Sequence, residues 1–477
     1  MPISFEALLA GYPPTAETPA DEVAAAAATD RRVFVVLDDD PTGTQSVADL
    51  PVLTDWSPES MEWALTQDRP AVYVMTNSRS LDPNDAAQRN REVAAAAFEA
   101  SDRTGIRVDF VSRSDSTLRG HFPLEPRVLA ECIADHDGER VDGIVVVPAF
   151  GDAGRITVGG IHYAGSMAEG FTPCGETEFA RDATFGYHSS RLAEWIEEKS
   201  GGAMAASWVI EIPLAELRTD LDAVVARLRS ASNEQPIAPD IVDENDLRRL
   251  SLALQQAEDA GSRFIYRVGP PFVRARIGQE VHPPLEADDL AAIRKGGRAE
   301  KSVGGLIVVG SHVQQTTRQL DALRALRKPV ELEIDVRTVL SDERDSHLDK
   351  IVGQAVSRLA EGNVVVRTSR TLVTGSDAAD SLAIARAVSG AVVEIVQRVL
   401  AVCPPRFVIA KGGITSSDVA ARGLSMTRAF VRGPMLPGIV SLWEPVAGPA
   451  RGIPYIVFAG NVGDQNSLAE VVDKLSR

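Results

Sequence analysis

Short, uniformly apolar segments recur along this chain, and each is followed by a polar loop and then by an amphipathic stretch. In the first half these segments are residues 32–37, 71–75, 108–112 and 143–149. Alternation of strands with helices is typical of a parallel α/β sheet. Strands without polar positions indicate burial on both faces. The pattern therefore predicts an α/β fold with a mostly parallel sheet flanked by helices.

The same pattern resumes in the second half, at residues 304–311, 363–369, 406–410 and 455–461. A charged, proline-rich stretch between residues 278 and 301 separates the halves and is the candidate domain boundary. Since 477 residues exceed one ordinary core, two domains are expected. We predict an extension over residues 1–30, a first domain over 31–280, a linker over 281–302 and a second domain over 303–477. Ser311 is the predicted N-cap of the helix that follows it.

Composition excludes several classes of protein. A net charge of −18 repels phosphate backbones, so nucleic acid is not an expected partner. Three distant cysteines without a C-x-x-C pair predict a reducing, cytoplasmic location. No segment has the length of a membrane span or the pattern of a signal peptide, so no membrane partner is expected. The histidines lack ligand spacing, and no transition metal site is predicted.

Two polar loops of the first half carry the chemistry. Residues 37–45 read LDDDPTGTQ, with three adjacent carboxylates directly after a buried strand. Such carboxylates either accept a proton from a substrate hydroxyl or form a solvated turn. Residues 112–122 read SRSDSTLRGHF, where arginines flank an aspartate. Arginine binds carboxylate or phosphate with two parallel hydrogen bonds, although a capped helix start with one ion pair is the alternative.

Arg79 and Arg155 lie in two further loops that follow predicted strands. Ligands collect at the carboxyl ends of strands in open α/β sheets. Four consecutive loops rich in Asp, Arg, Ser and Thr therefore predict a site for a small, polar, anionic ligand.

In the second half, residues 410–420 read AKGGITSSDVA, so a strand ends and two glycines precede Thr-Ser-Ser. Glycines allow close backbone approach, and amides at a helix start bind phosphate. An ordinary strand-to-helix turn is the alternative. The motif is neither a Walker loop nor G-x-G-x-x-G. Residues 310–312 and 459–464 add two more glycine-containing strand ends. Together they predict a nucleotide phosphate site.

These motifs jointly resemble the four-carbon acid sugar kinase family, from about Val33 to the C-terminus. The matching segments are DDDPTG at 38–43, NSRS at 77–80, DSTLRG at 115–120 and KGGITSSD at 411–418. The resemblance implies a first domain that binds the sugar acid and a second that binds ATP, with Mg²⁺ and with the active site in the cleft between them. The implied reaction is phosphoryl transfer to a hydroxyl of an acid such as threonate, erythronate or 3-oxo-tetronate.

The predicted site residues fall into three groups. Asp39, which we favour as the base, and Asp115 are the candidate catalytic residues. The candidate substrate-binding residues are Asp40, Thr42, Arg79, Arg113, Ser116, Thr117, Arg119 and Arg155. The candidate nucleotide-binding residues are Ser311, Gly412, Gly413, Ile414, Thr415, Gly460 and Asn461.

The chain also departs from the family pattern. Many relatives carry a lysine just before a Ser-Gly-Asn-Phe-Gly turn near the end, whereas this chain has Phe458 before Ala459-Gly460-Asn461. Arg113 stands where lysine is common. A sugar-acid isomerase or aldolase and a catalytically silent sugar-acid sensor stay open as alternatives, and so does a homo-oligomer.

Overall fold

The computed structural model describes residues 2–29, 31–370, 373 and 378–477. The strands are β1 Arg32–Asp38, β2 Leu50–Leu53, β3 Ala71–Met75, β4 Arg107–Arg113, β5 Gly143–Val147, β6 Arg155–Val158, β7 Ile161–Ser166, β8 Gly170–Pro173, β9 Ile210–Ile212, β10 Gln235–Pro239, β11 Phe264–Val268, β12 Leu306–Val309, β13 Val330–Ile334, β14 Val364–Thr368, β15 Val408–Lys411, β16 Arg428–Leu436, β17 Ile439–Pro445 and β18 Tyr455–Phe458.

The helices are α1 Phe5–Leu8, α2 Ala20–Ala27, α3 Pro58–Leu65, α4 Pro83–Thr104, α5 Leu124–Asp137, α6 Leu192–Lys199, α7 Leu214–Thr219, α8 Leu221–Arg229, α9 Glu244–Asp259, α10 Pro271–Arg276, α11 Ala287–Arg294, α12 Gln314–Arg327, α13 Val336–Val339, α14 Arg344–Leu359, α15 Ala378–Val402, α16 Gly413–Asp418 and α17 Ser467–Ser476. In the described part of the chain, none of these helices combines the length and the apolar character needed to cross a membrane.

The chain packs as two compact units. The first unit comprises Met1–Val47 and Trp56–Val281, and the second comprises Ala48–Asp55 and His282–Arg477. Residues 48–55, which the sequence assigns to the first domain, thus lie in the second unit. The predicted linker also contains α11 and packs as part of the second unit.

A parallel sheet forms the centre of the first unit, in the strand order β3-β1-β4-β11-β5-β10-β9. All residues of β3, β5 and β11 are buried, as uniformly apolar strands require when helices cover both faces. The strands β6, β7 and β8 form a separate antiparallel sheet that the sequence pattern did not predict.

The second unit has the strand order β13-β14-β12-β15-β18-β17-β16-β2. Its first five strands are parallel, whereas β17, β16 and β2 are antiparallel to their neighbours. Its core includes Ile307 on β12, Phe458 on β18 and Val472 on α17. The structure confirms the predicted α/β class with a mostly parallel sheet in each unit.

One predicted helix start is wrong. Helix α12 begins at Gln314 with Val313 as its N-cap, so Ser311 lies too early to cap it. The Ser311 hydroxyl instead lies within hydrogen-bond distance of Thr316 Oγ1, at 3.1 Å.

Candidate active site

The carboxyl ends of β3, β1, β4 and β11 lie side by side in the first unit. Asp38 at the end of β1 is level with Met75 of β3 and Arg113 of β4, and Arg113 is level with Val268 of β11. The loops that follow these strands therefore emerge at one edge of the sheet. Those loops contain the acidic run and the arginine-flanked aspartate, so two motifs that are 75 residues apart are brought together.

Arg113 lies inside the acidic run. Its Nη1 donates to Asp38 Oδ1 at 2.6 Å, to Asp39 Oδ1 at 3.2 Å and to the Asp40 carbonyl at 3.2 Å. Its side chain is only 3% exposed. Arg113 therefore offsets the charge of buried carboxylates, and little of its side-chain surface is accessible to a ligand.

Asp39 is held from several sides. Arg79 donates to both of its oxygens, at 3.0 Å from Nε and 2.6 Å from Nη2, and Ser114 Oγ donates to Oδ2 at 3.2 Å. Its side chain is 1% exposed. With both oxygens occupied, Asp39 orients Arg79 and the loop after β4.

Asp40 is the more accessible neighbour. Its Oδ1 accepts from the Thr42 amide at 2.9 Å and from Thr42 Oγ1 at 2.5 Å, which begins the 3-10 turn Pro41–Ser46. Its Oδ2 lies 3.6 Å from Arg79 Nη1, and the side chain is 21% exposed. Burial opposes ionisation, but Arg79 and Arg113 outweigh it and lower the pKa of Asp40.

Asp115 resembles Asp40 in its geometry. Its Oδ2 accepts from the Thr117 amide at 3.2 Å, from Thr117 Oγ1 and from Arg119 Nε at 2.9 Å. Its Oδ1 lies 3.8 Å from Arg79 Nη1, and the side chain is 12% exposed. Burial is again outweighed, because Arg79 and Arg119 lower the pKa of Asp115 well below its ordinary value.

Two arginines near Asp115 border on the ring of Phe179. The guanidinium carbons of Arg119 and Arg155 each lie 5.6 Å from the ring centroid. Arg119 also lies 3.6 Å from Asp182. Arg155 donates only to the Ala153 carbonyl and forms no ion pair with a described carboxylate. Among the predicted arginines Arg79, Arg113, Arg119 and Arg155, Arg155 is thus the one without a carboxylate partner among the described residues.

Ser116 contributes its backbone to the site. His162, which is fully buried, donates from Nε2 to the Ser116 carbonyl at 2.8 Å and accepts from Thr157 Oγ1 at 2.9 Å. Burial lowers the pKa of His162 to about 4, so the ring is neutral and fixes the loop.

The backbone at Gly43 packs directly against the buried side chains of Asp38 and Arg113. A Cβ atom there would lie 2.3 Å from Asp38 Oδ1 and 2.5 Å from Arg113 Cζ. Only a glycine lets the turn approach the buried ion pair so closely.

Three residues of the first unit's site, Asp38, Glu125 and Arg267, were not predicted as site residues. Burial raises the pKa of Asp38 to about 7, against the opposing charge of Arg113. Burial and the charge of Asp39 likewise raise the pKa of Glu125 to about 7. The Glu125 carboxylate accepts hydrogen bonds from Ser78 Oγ and from the Asn90 side chain.

Arg267 on β11 is buried and donates to the Arg119 carbonyl at 2.9 Å. Asp38 belongs to the predicted acidic run, whereas no local pattern distinguishes Glu125 and Arg267.

The second cluster of polar groups lies in the second unit, where β12, β15 and β18 are neighbours and end at the same edge. A Cβ atom on Gly460 would lie 2.4 Å from Ser311 Oγ, and one on Gly412 would lie 3.2 Å from Ser311 Cβ. A Cβ atom on Gly310 would lie 2.2 Å from Thr415 Oγ1. The predicted nucleotide-binding residues Ser311, Gly412, Thr415 and Gly460 therefore converge.

The remaining predicted residues of this group are adjacent in the chain. Gly413 is the first residue of α16, and Ile414 is 63% exposed. Asn461 is exposed in the turn after β18. Helix α12 holds this turn, because Thr316 Oγ1 donates to the Gly460 carbonyl at 2.9 Å and Gln319 donates to Val462 and Asp464.

Lys411, the last residue of β15, was not a predicted site residue. It is fully buried, and its Nζ donates to the Ala459 carbonyl at 2.9 Å and lies 3.8 Å from the centroid of the Phe458 ring. Burial lowers the pKa of Lys411 to about 7. Lys411 is level with Phe458 on the adjacent strand, so its amino group lies beside the residue that precedes the turn after β18.

Arg370 is a second cation at this cluster. It donates to the Ser311 carbonyl and, at 2.6 Å, to Thr317 Oγ1. Burial and the nearby Arg367 lower the pKa of Arg370. The glycine-containing strand ends thus have two cations close to them.

Two family models match this chain, one in its N-terminal part and one in its C-terminal part. A family model described as a sugar-binding N-terminal domain matches residues 34–276, and one described as a nucleotide-binding C-terminal domain matches residues 306–468. These models describe a class of proteins with one sugar-binding and one nucleotide-binding domain. The chain belongs to the four-carbon acid sugar kinase family, as the sequence motifs predicted, and is a phosphotransferase that acts on a hydroxyl group.

Named relatives support the same class. The chain is 25% identical to a D-erythronate kinase of Heliobacterium modesticaldum, over 85% of this chain and 87% of the relative. It is 26% identical to a D-threonate kinase of Salmonella typhimurium, over 63% and 62% respectively.

Solved structures share the fold. A Salmonella typhimurium protein described as a putative tRNA synthase has a TM-score of 0.63 at 18% identity and covers 92% of this chain and 98% of its own. A Haemophilus influenzae protein from a family of unknown function has a TM-score of 0.59 at 16% identity, with coverage of 93% and 100%.

Proposed function

We propose that this chain transfers the γ-phosphoryl group of ATP to a hydroxyl of a four-carbon sugar acid such as erythronate, threonate or 3-oxo-tetronate. The observation that carries this proposal is the arrangement of the first unit's site. There, Asp40 and Asp115 each keep one carboxylate oxygen that accepts no hydrogen bond from the described residues, and the charge of Asp115 acts on Arg155, which has no carboxylate partner among those residues. The names of the two kinase relatives support the choice of acids.

Arg155, assisted by Arg119, is suited to bind the substrate carboxylate. Its donors are not consumed by a protein carboxylate, in contrast to those of Arg113 and Arg79. Burial lowers the pKa of Arg155, so an anionic ligand would relieve the cost of its buried charge. An acid is therefore favoured over the corresponding neutral sugar alcohol.

Asp40 and Asp115 are suited to orient the substrate hydroxyls. Their pKa values are lowered, which makes them weak bases that stay ionised at neutral pH. Phosphoryl transfer depends mainly on positioning and charge neutralisation and requires little early proton removal. We therefore favour Asp115 over Asp39 as the group that accepts the hydroxyl proton late in transfer, because Asp39 has both oxygens occupied.

In the second unit, the converging strand ends would hold the phosphates, and Lys411 and Arg370 would offset their charge. Mg²⁺ would enter with the nucleotide and polarise its phosphates. The described residues contain no group of three histidine, cysteine or acidic side chains that could hold a metal alone. An ion would accordingly be held mainly by phosphate oxygens and water.

The test is ADP release with ATP and a panel of four- to six-carbon sugar acids, with erythritol as the matched substrate that lacks the carboxylate. We expect turnover with a four-carbon acid and little with erythritol. Arg155→Met should raise KM for the acid by about ten- to a hundredfold, the effect of losing a charge-assisted hydrogen bond. KM for ATP should stay unchanged.

Absence of ADP release with every acid would reject the kinase proposal, and acid binding without turnover would identify a sensor instead. A variant whose KM rises for ATP rather than for the acid would assign Arg155 to the phosphates.

A further inference from the structure

The small antiparallel sheet of β6, β7 and β8 carries the arginine that we propose binds the acid. Arg155 is the first residue of β6, and Thr157 lies two residues further along, on the same face of the strand. Ile156 and Val158 alternate with them and belong to an apolar cluster with Phe171 of β8. This sheet thus has one face that bears groups of the site and an opposite face that is apolar.

The segment of residues 2–12 covers the apolar face. Its side chains Phe5, Leu8 and Tyr12 pack against the cluster, and the ring centroids of Phe5 and Phe171 are 5.9 Å apart. Without the segment, apolar surface of the sheet would be exposed to water, which is unfavourable. The segment therefore forms an outer layer of the β6–β8 sheet.

A row of backbone contacts leads from this segment to Arg155. Ile3 and Phe171 exchange two backbone hydrogen bonds, each 2.8 Å long, so the segment extends the edge of the sheet at β8. Gly165 of β7 is opposite Phe171, and its amide donates to the Gly154 carbonyl at 2.9 Å. A Cβ atom on Gly165 would lie 2.7 Å from Phe171 Cα, and one on Gly154 would lie 1.8 Å from the Gly165 carbonyl oxygen. The row is therefore closely packed, and Arg155 directly follows its last member.

The segment also reaches a cavity that Arg155 lines. This cavity has a volume of about 440 Å³, and its walls include Pro2, Arg155, Thr172 and Phe179. Its size falls within the range of small-molecule sites. The segment thus contacts the surroundings of Arg155 both through the sheet and through the cavity wall.

We propose that residues 2–12 are a positioning segment for Arg155, which hold the β6–β8 sheet so that the guanidinium stays in place for the carboxylate of the sugar acid. The inference rests on the proposed role of Arg155 and adds the part of the chain that fixes this residue. Neither family model includes the segment, since the sugar-binding match begins at residue 34. The segment and its contacts lie in the first unit, so its loss should affect acid binding and leave ATP binding unchanged.

The first test removes residues 2–12. Residues 13–18 keep an anchor of their own, because Thr15 Oγ1 donates to Asp243 at 2.6 Å. We expect KM for the sugar acid to rise about three- to tenfold, which is part of the effect of losing the charge-assisted hydrogen bond itself. The kcat and KM for ATP should stay unchanged. In an Arg155→Met background the same deletion should cause no further rise, because the segment acts through Arg155.

Single substitutions keep the chain complete and provide the second test. Phe5→Ala removes the ring that packs near Phe171 and should raise KM for the acid by a smaller factor than the deletion, whereas Phe5→Leu should largely restore the original value. Val23→Ala is the control, because Val23 is buried on α2, outside the segment. It should lower the midpoint of thermal unfolding and leave KM unchanged for both the acid and ATP.

Unchanged KM for the acid in the deletion and in Phe5→Ala, beside a raised KM in Arg155→Met, would overturn this inference alone. An equal rise with and without Arg155, or an equal rise in Val23→Ala, would also overturn it, because the effect would then come from another residue or from lost stability. A normal KM for the acid in Arg155→Met would reject the proposed role of Arg155, and this inference with it. Absence of turnover with any acid in the unchanged protein would reject the kinase proposal as well.

Discussion

At the scale of single residues, Asp39 and Asp115 differ in how many of their oxygens are already bound. Position after β1 favours Asp39 as the base when only the sequence is considered. In the structure, both Asp39 oxygens accept hydrogen bonds from Arg79, and the side chain is almost fully buried. Asp115 keeps Oδ1 without a hydrogen bond from a described residue. The two residues should therefore respond differently to the same substitution.

We expect Asp115→Asn to lower kcat by about a hundredfold or more, the range for losing a general base. Because Arg79 and Arg119 hold the pKa of Asp115 below its ordinary value, the variant should also be less stable than the unchanged protein at neutral pH. Asp39→Asn should destabilise the protein by about 3 kcal/mol, because it leaves Arg79 without its buried partner. Steady-state kinetics and thermal unfolding of the two variants check this. A stable Asp39→Asn protein with low kcat, beside an active Asp115→Asn protein, would restore Asp39 as the base.

Lys411 is a residue whose charge is costly in the folded protein. Since burial lowers its pKa to about 7 from an ordinary value of 10.5, the unfolded chain binds this proton more tightly. The free-energy cost of burying the charged Lys411 is fully present below pH 7. This cost falls as pH rises from 7 to 10.5, and it is absent above that range. A lysine retained at such a cost is a candidate for contact with an anion.

We therefore expect Lys411→Met to be more stable than the unchanged protein at pH 6.5, by on the order of a few kcal/mol, and to lose most of this advantage by pH 9.5. Its KM for ATP should rise. Urea unfolding at both pH values and ATP kinetics measure these effects, with the exposed Lys350→Met as the control. A stability difference that is independent of pH would mean that Lys411 is not buried as a charged group.

At the scale of structural elements, the two sites are built in the same way. Parallel strands end at a common edge, and their loops meet there although they are distant in sequence. In the second unit, helix α12 fixes the turn after β18, because its Thr316 and Gln319 side chains donate hydrogen bonds to carbonyls of that turn. The position of that turn depends on Gly460, which lies against Ser311.

Gly460→Ala should displace the Ser311 hydroxyl, since the new Cβ would lie 2.4 Å from it. We expect KM for ATP to rise about tenfold and stability to fall by roughly 1–3 kcal/mol, as overpacking usually causes. Gly353→Ala is the control, because no atom lies within 4 Å of a Cβ there and alanine favours the helix. Equal ATP kinetics in the two variants would show that the turn does not contact the nucleotide.

At the scale of the whole molecule, the notable feature is the short strand β2. It comes from the first half of the chain but pairs antiparallel with β16 of the second unit, with Leu53 opposite Arg428 and Leu50 opposite Val431. The second unit is therefore discontinuous in sequence. A fragment that starts at the predicted linker would lack one strand of its sheet.

We expect a fragment of residues 282–477 to aggregate or to unfold at a lower temperature than the same fragment with residues 48–55 joined to it by a flexible linker. The reason is that the shorter fragment loses the pairing of β2 with β16 and the buried side chains of Leu50, Val52 and Leu53. Size-exclusion chromatography and thermal unfolding of both fragments provide the measurement. Equal stability would show that β2 is dispensable.

Much of this protein follows from local sequence pattern. Runs of buried apolar residues predicted the parallel strands, because strands covered on both faces have no polar positions. The chemistry of the loops predicted a site at the acidic run, Arg79 and the glycines around Ser311, since ligands bind at the carboxyl ends of such strands. Arg155 was also expected in a loop, but it is the first residue of β6. Family membership was also predictable, because the motifs lie in short contiguous segments.

Only the tertiary structure shows which of those residues are buried in ion pairs and which keep groups that are available to a ligand. Arg113 is buried among three aspartates, and Arg79 donates two hydrogen bonds to Asp39. These arrangements depend on contacts between loops that are distant in sequence. The pairing of β2 with β16 and the place of Lys411 beside Phe458 also join distant segments. The physical reason is common to all of these features: burial and charge pairing are properties of neighbours in space, and a local pattern contains no information on which distant segment will be the neighbour.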